Sequence, residues 1–302
     1  MRHTLSLFYW PLLALLTLAC TTNTTTSDVA TSDGTLADAA ETATSAPLPY
    51  DLTKPARRYD LPKDLREVSG ISYYKPDQLA SIQDELGVVF IYDLKQQRVV
   101  AEHIFGPAAD YEDVAWVNGE FFVLRSDGEL YRFKPGAAIK TLNGTSQTRH
   151  IKIGLPGKND VEGLGYDPKL NALLLATKDA ERKGTDKPIY FYGLKGAALY
   201  QGPVLKQDAL RQFDPTITDE VKPSGIAVHP QTGDYYVLAS GGSRLLVLRS
   251  SGKLLSAVAL DKEQFRQPEG ITFAPDGTLF IASEGGKKGT GYVLAFTPAT
   301  TP

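Results

Sequence analysis

An all-β, five-bladed β-propeller is the fold that this 302-residue sequence predicts, and three observations predict it. A short motif, an acidic residue or serine followed by glycine and then an alternating apolar strand, recurs along most of the chain. Aligned on Gly70, Asp113, Gly163, Gly225 and Gly270, the copies stand 43, 50, 62 and 45 residues apart, the period of a propeller blade. In the clearest copy, QPEGITFAPDGTLFIASEGG over residues 267–286, two period-2 strands flank a Pro275-Asp276-Gly277 turn, the pattern of a β-hairpin. A six-bladed ring, with a degenerate blade in residues 201–221, is the competing count.

The amino terminus is not part of the repeat. Residues 1–19 carry Arg2 and His3 and then an apolar run, too short to span a bilayer and read as a secretory signal peptide. Cys20, the single cysteine, follows directly. This resembles the bacterial lipoprotein pattern, in which the sulfur is acylated and the cysteine becomes the new amino terminus, although Thr17 stands where that pattern has leucine. An incidental cysteine is the alternative, but a secreted chain with one cysteine has no disulfide use for it. Acyl chains contribute about 0.8 kcal/mol per buried CH₂, and more than one anchors stably.

Residues 20–54 are therefore expected to be an acylated cysteine and a disordered tether, since residues 21–49 are mostly Thr, Ser, Ala and Asp. Thr21 lacks the aspartate that resembles an inner-membrane retention signal, so an outer-membrane lipoprotein is the expected location. A formal charge of −3 with no basic run excludes a nucleic-acid-binding stripe or a polybasic membrane patch. A monomer is the expected state.

The propeller domain is read as residues 55–298. Copy one is EVSGISYY from Glu67, with strands over 79–85, 88–94 and 98–104. Copy two begins DYEDVAW at Asp110 and turns on Asn118-Gly119, the strongest short hairpin signal; Leu130 to Phe133 is its third strand. Copy three is DVEGLGY from Asp160, with a polar loop over 180–188 before its third strand. Copy four is KPSGIAV from Lys222, preceded by an insertion over 207–220 whose LRQF could hold a helical turn. Copy five has three strands. Its fourth is expected from residues 56–61, which closes the ring and removes exposed sheet edges.

Innermost strands line a propeller's channel, so residues at their starts converge on one mouth. These are Glu67 with Ser69, Asp110 with Glu112, Asp160 with Glu162, Ser224, and Glu269; the ends of second strands add Asp84, Glu85, Asp179 and Glu284. Crowded carboxylates repel and raise their own pKa values, and a hard cation is the simplest neutraliser, calcium suiting a flexible set of oxygen ligands. Ion pairs with Arg66, Arg125 or Lys178 are the alternative. Ser69 and Ser224 are expected to serve backbone hydrogen bonds in the turn, and Asp167 and Asp276 to be turn residues. His103, His150 and His229 read as surface or packing residues, and no G-x-S-x-G, HExxH or phosphate-binding loop occurs.

The order EVSGI, DYEDVA, DVEGLGYDP, KPSGIAVHP and QPEGITFAPDGTLFIASEG resembles the SdiA-regulated family of bacterial envelope proteins, distantly similar to NHL-repeat propellers. The resemblance implies five blades and a shared calcium site. Matched by motif, it implies a metal neighbourhood of Glu67, Glu112, Glu162, Glu269 and Glu284, with Asp84 and Asp179 at its edge. Arg125 departs from the acidic ring; with Lys178 it is a candidate ligand-binding cation. Two functions follow. One is a lipid-anchored, calcium-binding module for an unknown protein or small-molecule ligand at the channel mouth. The other is a calcium-dependent hydrolase of lactonase, esterase or phytase type, which needs an open metal position and a base.

Overall fold

A computed structural model describes residues 47–136, 148–157, 160–179, 186–287 and 289–299. Residues 1–46, read as signal peptide, Cys20 and tether, lie outside the described residues, as do residues 180–185 of the polar loop and Lys288.

Strand β1 (Arg57–Asp60) precedes the first full blade, β2 (Val68–Lys75), β3 (Gln78–Gln83), β4 (Val88–Asp93) and β5 (Arg98–Ile104). Blade two is β6 (Tyr111–Val117), β7 (Glu120–Arg125), β8 (Leu130–Phe133) and β9 (Arg149–Ile151). Blade three is β10 (Asp160–Asp167), β11 (Ala172–Asp179), β12 (Lys187–Gly193) and β13 (Ala198–Leu205), followed by helix α1 (Gln207–Phe213). Blade four is β14 (Lys222–Val228), β15 (Tyr235–Gly241), β16 (Arg244–Leu248) and β17 (Leu254–Ala259). Blade five is β18 (Pro268–Phe273), β19 (Leu279–Ser283) and β20 (Tyr292–Phe296), and β1 is its fourth strand, antiparallel to β20 with Arg57 opposite Ala295 and Asp60 opposite Tyr292. The ring therefore closes as expected with five blades. Residues 201–221 end β13, form α1 and return to β14, so they hold no sixth blade.

Local chemistry sets these hairpins. Asn118 and Gly119 both take positive φ, 51° and 85°, between Val117 and Glu120, the turn whose twist matches its strands. In blade five the Gly277 N–H donates to the Ala274 carbonyl, and the Asp276 carboxylate accepts from the Thr278 N–H.

The apolar core is divided among the blade interfaces. Five buried clusters each join two neighbouring blades; one packs Leu238 and Leu245 of blade four on Ile271, Leu279 and Leu294 of blade five. The ordered chain also reaches back into the stretch read as tether. Tyr50 and Leu52 are buried in the cluster between blades four and five, where the Tyr50 hydroxyl donates to the Gly277 carbonyl and lies 2.9 Å from His229 Nε2. His229 Nδ1 accepts from the Thr232 N–H, so Nε2 carries the proton and donates to Tyr50. Lys187 and Pro188, read as loop, instead begin β12.

Strands β2, β6, β10, β14 and β18 contact one another in a closed ring, and at its centre backbone meets backbone. A Cβ on Gly225 would lie 2.7 Å from the Glu269 carbonyl oxygen, and one on Gly270 2.9 Å from the Ile71 nitrogen. Gly163 abuts Gly225, and Gly70 abuts Asp113, which takes the glycine's place in blade two. Asp113 is fully buried; its two oxygens accept from the Val114 N–H and, across the blade boundary, from the Leu164 N–H at 2.7 Å. Burial pushes its carboxyl well above the usual range, against those two hydrogen bonds.

Asp113→Ala removes the acceptor from a buried N–H and is expected to cost about 1–3 kcal/mol, whereas Asp113→Asn keeps an acceptor and costs less than half as much. Urea denaturation of the three proteins measures this, and equal losses for the two variants would contradict it.

Candidate metal centre

One irregularity, repeated five times, builds the acidic mouth. Near the start of each innermost strand the ladder to the second strand slips by one residue: Val68 pairs with Gln83 but Gly70 with Ile82, and the same step recurs at Tyr111/Asp113, Val161/Gly163, Pro223/Gly225 and Pro268/Gly270. The residues left unpaired are Ser69, Glu112, Glu162, Ser224 and Glu269. Such bulges re-aim a side chain out of the strand's alternation. The glycine that follows four of them permits the close approach described above.

The bulged residues divide by chemistry. The serines tie blades together: Ser69 Oγ donates to the Tyr111 carbonyl at 3.0 Å and Ser224 Oγ to the Pro268 carbonyl at 2.7 Å. The hydrogen bonds that these hydroxyls donate therefore cross the blade boundary instead of staying in the turn. The three glutamates remain at the mouth. Glu112, Glu162 and Asp160 each offer an oxygen, and those atoms lie within 4.8 Å of one another. Glu162 is 6% exposed; one oxygen pairs with the Lys178 ammonium while Oε2 is buried without a hydrogen-bond partner.

Burial, then Glu162 and Asp110, pushes Glu112 up to about 9. Glu269 rises to about 8 through burial and the charges of Glu162 and Glu284. Burial raises Glu162 to about 7 against the pull of Lys178, and burial with Asp84 and Glu67 raises Glu284 to about 7. Asp84 and Asp160 also shift upward, chiefly from burial. Asp84 Oδ1 is a second buried oxygen without a partner.

Other residues expected at the site have partners outside the three-carboxylate cluster. Asp179 accepts from Lys222 at 2.8 Å and from the fully buried Lys187 at 3.3 Å; those bonds outweigh burial and hold its pKa below the usual range. It ties blade three to blade four. Arg125 is turned to Asp127, Glu129 and the Tyr131 hydroxyl, so it completes an ion pair within its own hairpin and not with the acids of the mouth. Glu67 pairs with Arg66 at 3.1 Å and is partly exposed, and Glu284 accepts from Gln267 at 2.7 Å. Asp160, absent from the motif-matched set, completes the cluster. Asp167, besides its turn bonds, accepts from the Tyr235 hydroxyl of blade four at 2.7 Å. Of the histidines, His103 and His150 lie on outer strands β5 and β9, and His229 lies beyond the far end of β14.

These features define a five-bladed propeller with a carboxylate-lined channel mouth. The chain belongs to the SdiA-regulated family, whose model matches residues 56–286. No curated protein matches it at the sequence level. Among solved structures, Myxococcus xanthus glutaminyl cyclase is similar with TM-score 0.53 and 13% identity over 80% of this chain and 94% of that one. Regucalcin from Agrobacterium tumefaciens, a calcium-binding protein, has TM-score 0.47 and 13% identity over 82% and 97%. A gluconolactonase from Xanthomonas campestris has TM-score 0.46 and 14% identity over 76% and 72%. At these identities the likeness shows the fold alone.

A carboxyl whose pKa is raised by folding favours the folded state while protonated, so that contribution is lost as pH rises through the raised value. Chelator-treated protein is therefore expected to melt at progressively lower temperature from about pH 4.5, where these carboxyls ionise in the unfolded chain, up to about pH 9, the contributions of Glu162 and Glu284 being lost by about pH 7, that of Glu269 by about 8 and that of Glu112 by about 9. His103 and His229, both held below their ordinary value by burial, act in the opposite sense only up to that ordinary value of about 6.5, so the fall above it belongs to the carboxyls. Scanning calorimetry of wild type and Glu112→Gln checks this; the variant is expected to show a shallower fall, and a flat wild-type profile would contradict it.

Proposed function

We propose that the protein is a calcium-binding, lipid-anchored envelope propeller that binds its ligand at the acidic mouth without transforming it. The observation that carries this reading is Glu162, a buried carboxylate that clusters with Glu112 and Asp160 and has one oxygen without a hydrogen-bond partner. Leaving a buried polar atom unpaired is costly, and a cation supplies the missing partner. All three donors are carboxylate oxygens from two blades. That set suits calcium, which takes six to eight oxygen ligands in flexible geometry, better than zinc, which favours nitrogen and sulfur. Glu112, Asp160 and Glu162 would hold the ion, with Glu269, Glu284 and Asp84 around them. When bound, calcium neutralises the crowded charge and offers coordination positions to a ligand oxygen.

Two observations favour binding over hydrolysis. Lys187, Lys222 and Arg125 already pair with Asp179, Glu220, Asp127 and Glu129, which leaves them committed where a phytate-type polyanion would need free cations. His103 and His150 lie on outer strands and His229 beyond the far end of β14, so none of the three stands at the strand starts as a base for a metal-bound water. The lipid anchor rests on Cys20 and its preceding apolar run.

Calcium is expected to bind metal-stripped protein with one-site stoichiometry and raise its melting temperature, with affinity falling at least tenfold in Glu162→Gln. Titration calorimetry measures this, and no binding to the wild type would remove the calcium reading. Lactone, aryl-ester and phytate panels should show no turnover; activity that vanishes in Glu269→Gln would establish the hydrolase instead. Cys20→Ala is expected to move the protein from the membrane to the soluble fraction, and its retention on membranes would overturn the anchor.

A further inference from the structure

Lys178 occupies the mouth for a reason visible in the ladder. Across β10 and β11 the register slips twice in opposite senses: Asp160 pairs with Asp179 and Val161 with Thr177, which leaves Lys178 unpaired on β11, and the next step leaves Glu162 unpaired on β10. The two bulged residues face each other. Blade four repeats the double slip, with Ser240 in the place of Lys178 and Ser224 in that of Glu162, and there the Ser240 N–H donates to Ser224 Oγ at 3.2 Å. Blade three thus carries a pair of opposite charges where blade four carries a neutral staple.

The Lys178 ammonium bonds one oxygen of Glu162. Its charge also acts on Glu112, Asp160, Glu269 and Glu284, so one side chain serves the whole acidic group. Its side chain remains 32% exposed, which leaves a path outward. A divalent cation held by Glu112, Asp160 and Glu162 would stand a few ångströms from that ammonium, and like charges at that distance in a partly buried site repel strongly. The two cations therefore compete for the charge of Glu162.

We propose that Lys178 is a tethered counter-ion: it holds Glu162 when the mouth is free of metal, and an entering divalent cation displaces it, so that this exchange sets the affinity of the site. The proposal rests on the cation reading given above. It makes Lys178 a tuning residue that weakens binding while protecting the metal-free mouth from self-repulsion. The exchange moves an intact ammonium; no bond or proton is transferred.

The test is calcium titration of metal-stripped wild type, Lys178→Gln and Lys178→Arg, with amine-reactive labelling of Lys178 in the wild type read by mass spectrometry. Lys178→Gln is expected to bind calcium at least tenfold more tightly than wild type, and Lys178→Arg to stay within about threefold of it. Calcium is expected to increase labelling of Lys178. Equal or weaker binding by Lys178→Gln, or unchanged labelling on adding calcium, would overturn the exchange while leaving the calcium reading intact. Absence of calcium binding in all three proteins would overturn both. The labelling arm needs no variant, so it decides the matter even if Lys178→Gln fails to fold.

Discussion

Everything at the mouth depends on one extra residue at the same place in each innermost strand. A strand that alternates regularly sends its side chains into the two flanking blade interfaces, and its free edge faces the channel with unpaired N–H and C=O groups. The bulge turns one side chain per blade out of that alternation. Two of the five, Ser69 and Ser224, bond the edge of a neighbouring blade; the other three, Glu112, Glu162 and Glu269, form the inner set of acids. Further along the strands Ser72 and Thr272 accept the N–H groups of Trp116 and Tyr73, so hydroxyl staples continue where the bulge ends. The glycine after four of the five bulges is the counterpart of this arrangement, because at those positions a Cβ would meet a neighbouring blade at 3.0 Å or less.

This geometry sets stability against function. Gathering Glu112, Asp160, Glu162, Glu269 and Glu284 at a half-buried rim penalises their ionised forms, and the rest of the ring must offset that. Five interfacial clusters supply apolar burial, and strand β1 pairs with the otherwise open edge of β20. Charge is dispersed outside the cluster as well. Asp179 is drawn off by Lys187 and Lys222, so its carboxylate does not add to the crowd. Asp113 is a separate solution. Where the other blades have glycine, blade two sets a carboxyl that spans to Leu164, which joins blades two and three by a side-chain bond instead of bare backbone contact.

The blades were legible in the sequence because hairpins announce themselves locally. Alternation, Asn118-Gly119 and Pro275-Asp276-Gly277 each encode a turn within a few residues, and the missing fourth strand of blade five pointed to residues near Arg57. The acids of the mouth were legible as a repeated position, too. The bulge was not, since a one-residue slip leaves the local pattern of apolar residues almost unchanged; only the recurring acid or serine before glycine hints at it. Partners far apart in sequence were equally hidden. Nothing near Asp179 announces Lys222, 43 residues away. Lys187 looked like loop because a lysine is seldom fully buried, and it is buried here because Asp179 and Glu220 meet it. Tyr50 lay in a stretch dominated by small polar residues, and its burial depends on a groove made by two distant blades.

The central claim is that the bulges of blades two and three converge on a cation site. Crystals of the protein grown with a terbium salt, with anomalous scattering recorded at the metal's absorption edge, test it most directly. The expected map has one dominant peak with carboxylate oxygens of Glu112, Asp160 and Glu162 at about 2.3–2.6 Å and the Lys178 ammonium turned away from Glu162. A peak coordinated by other residues, or none at the mouth, would contradict it.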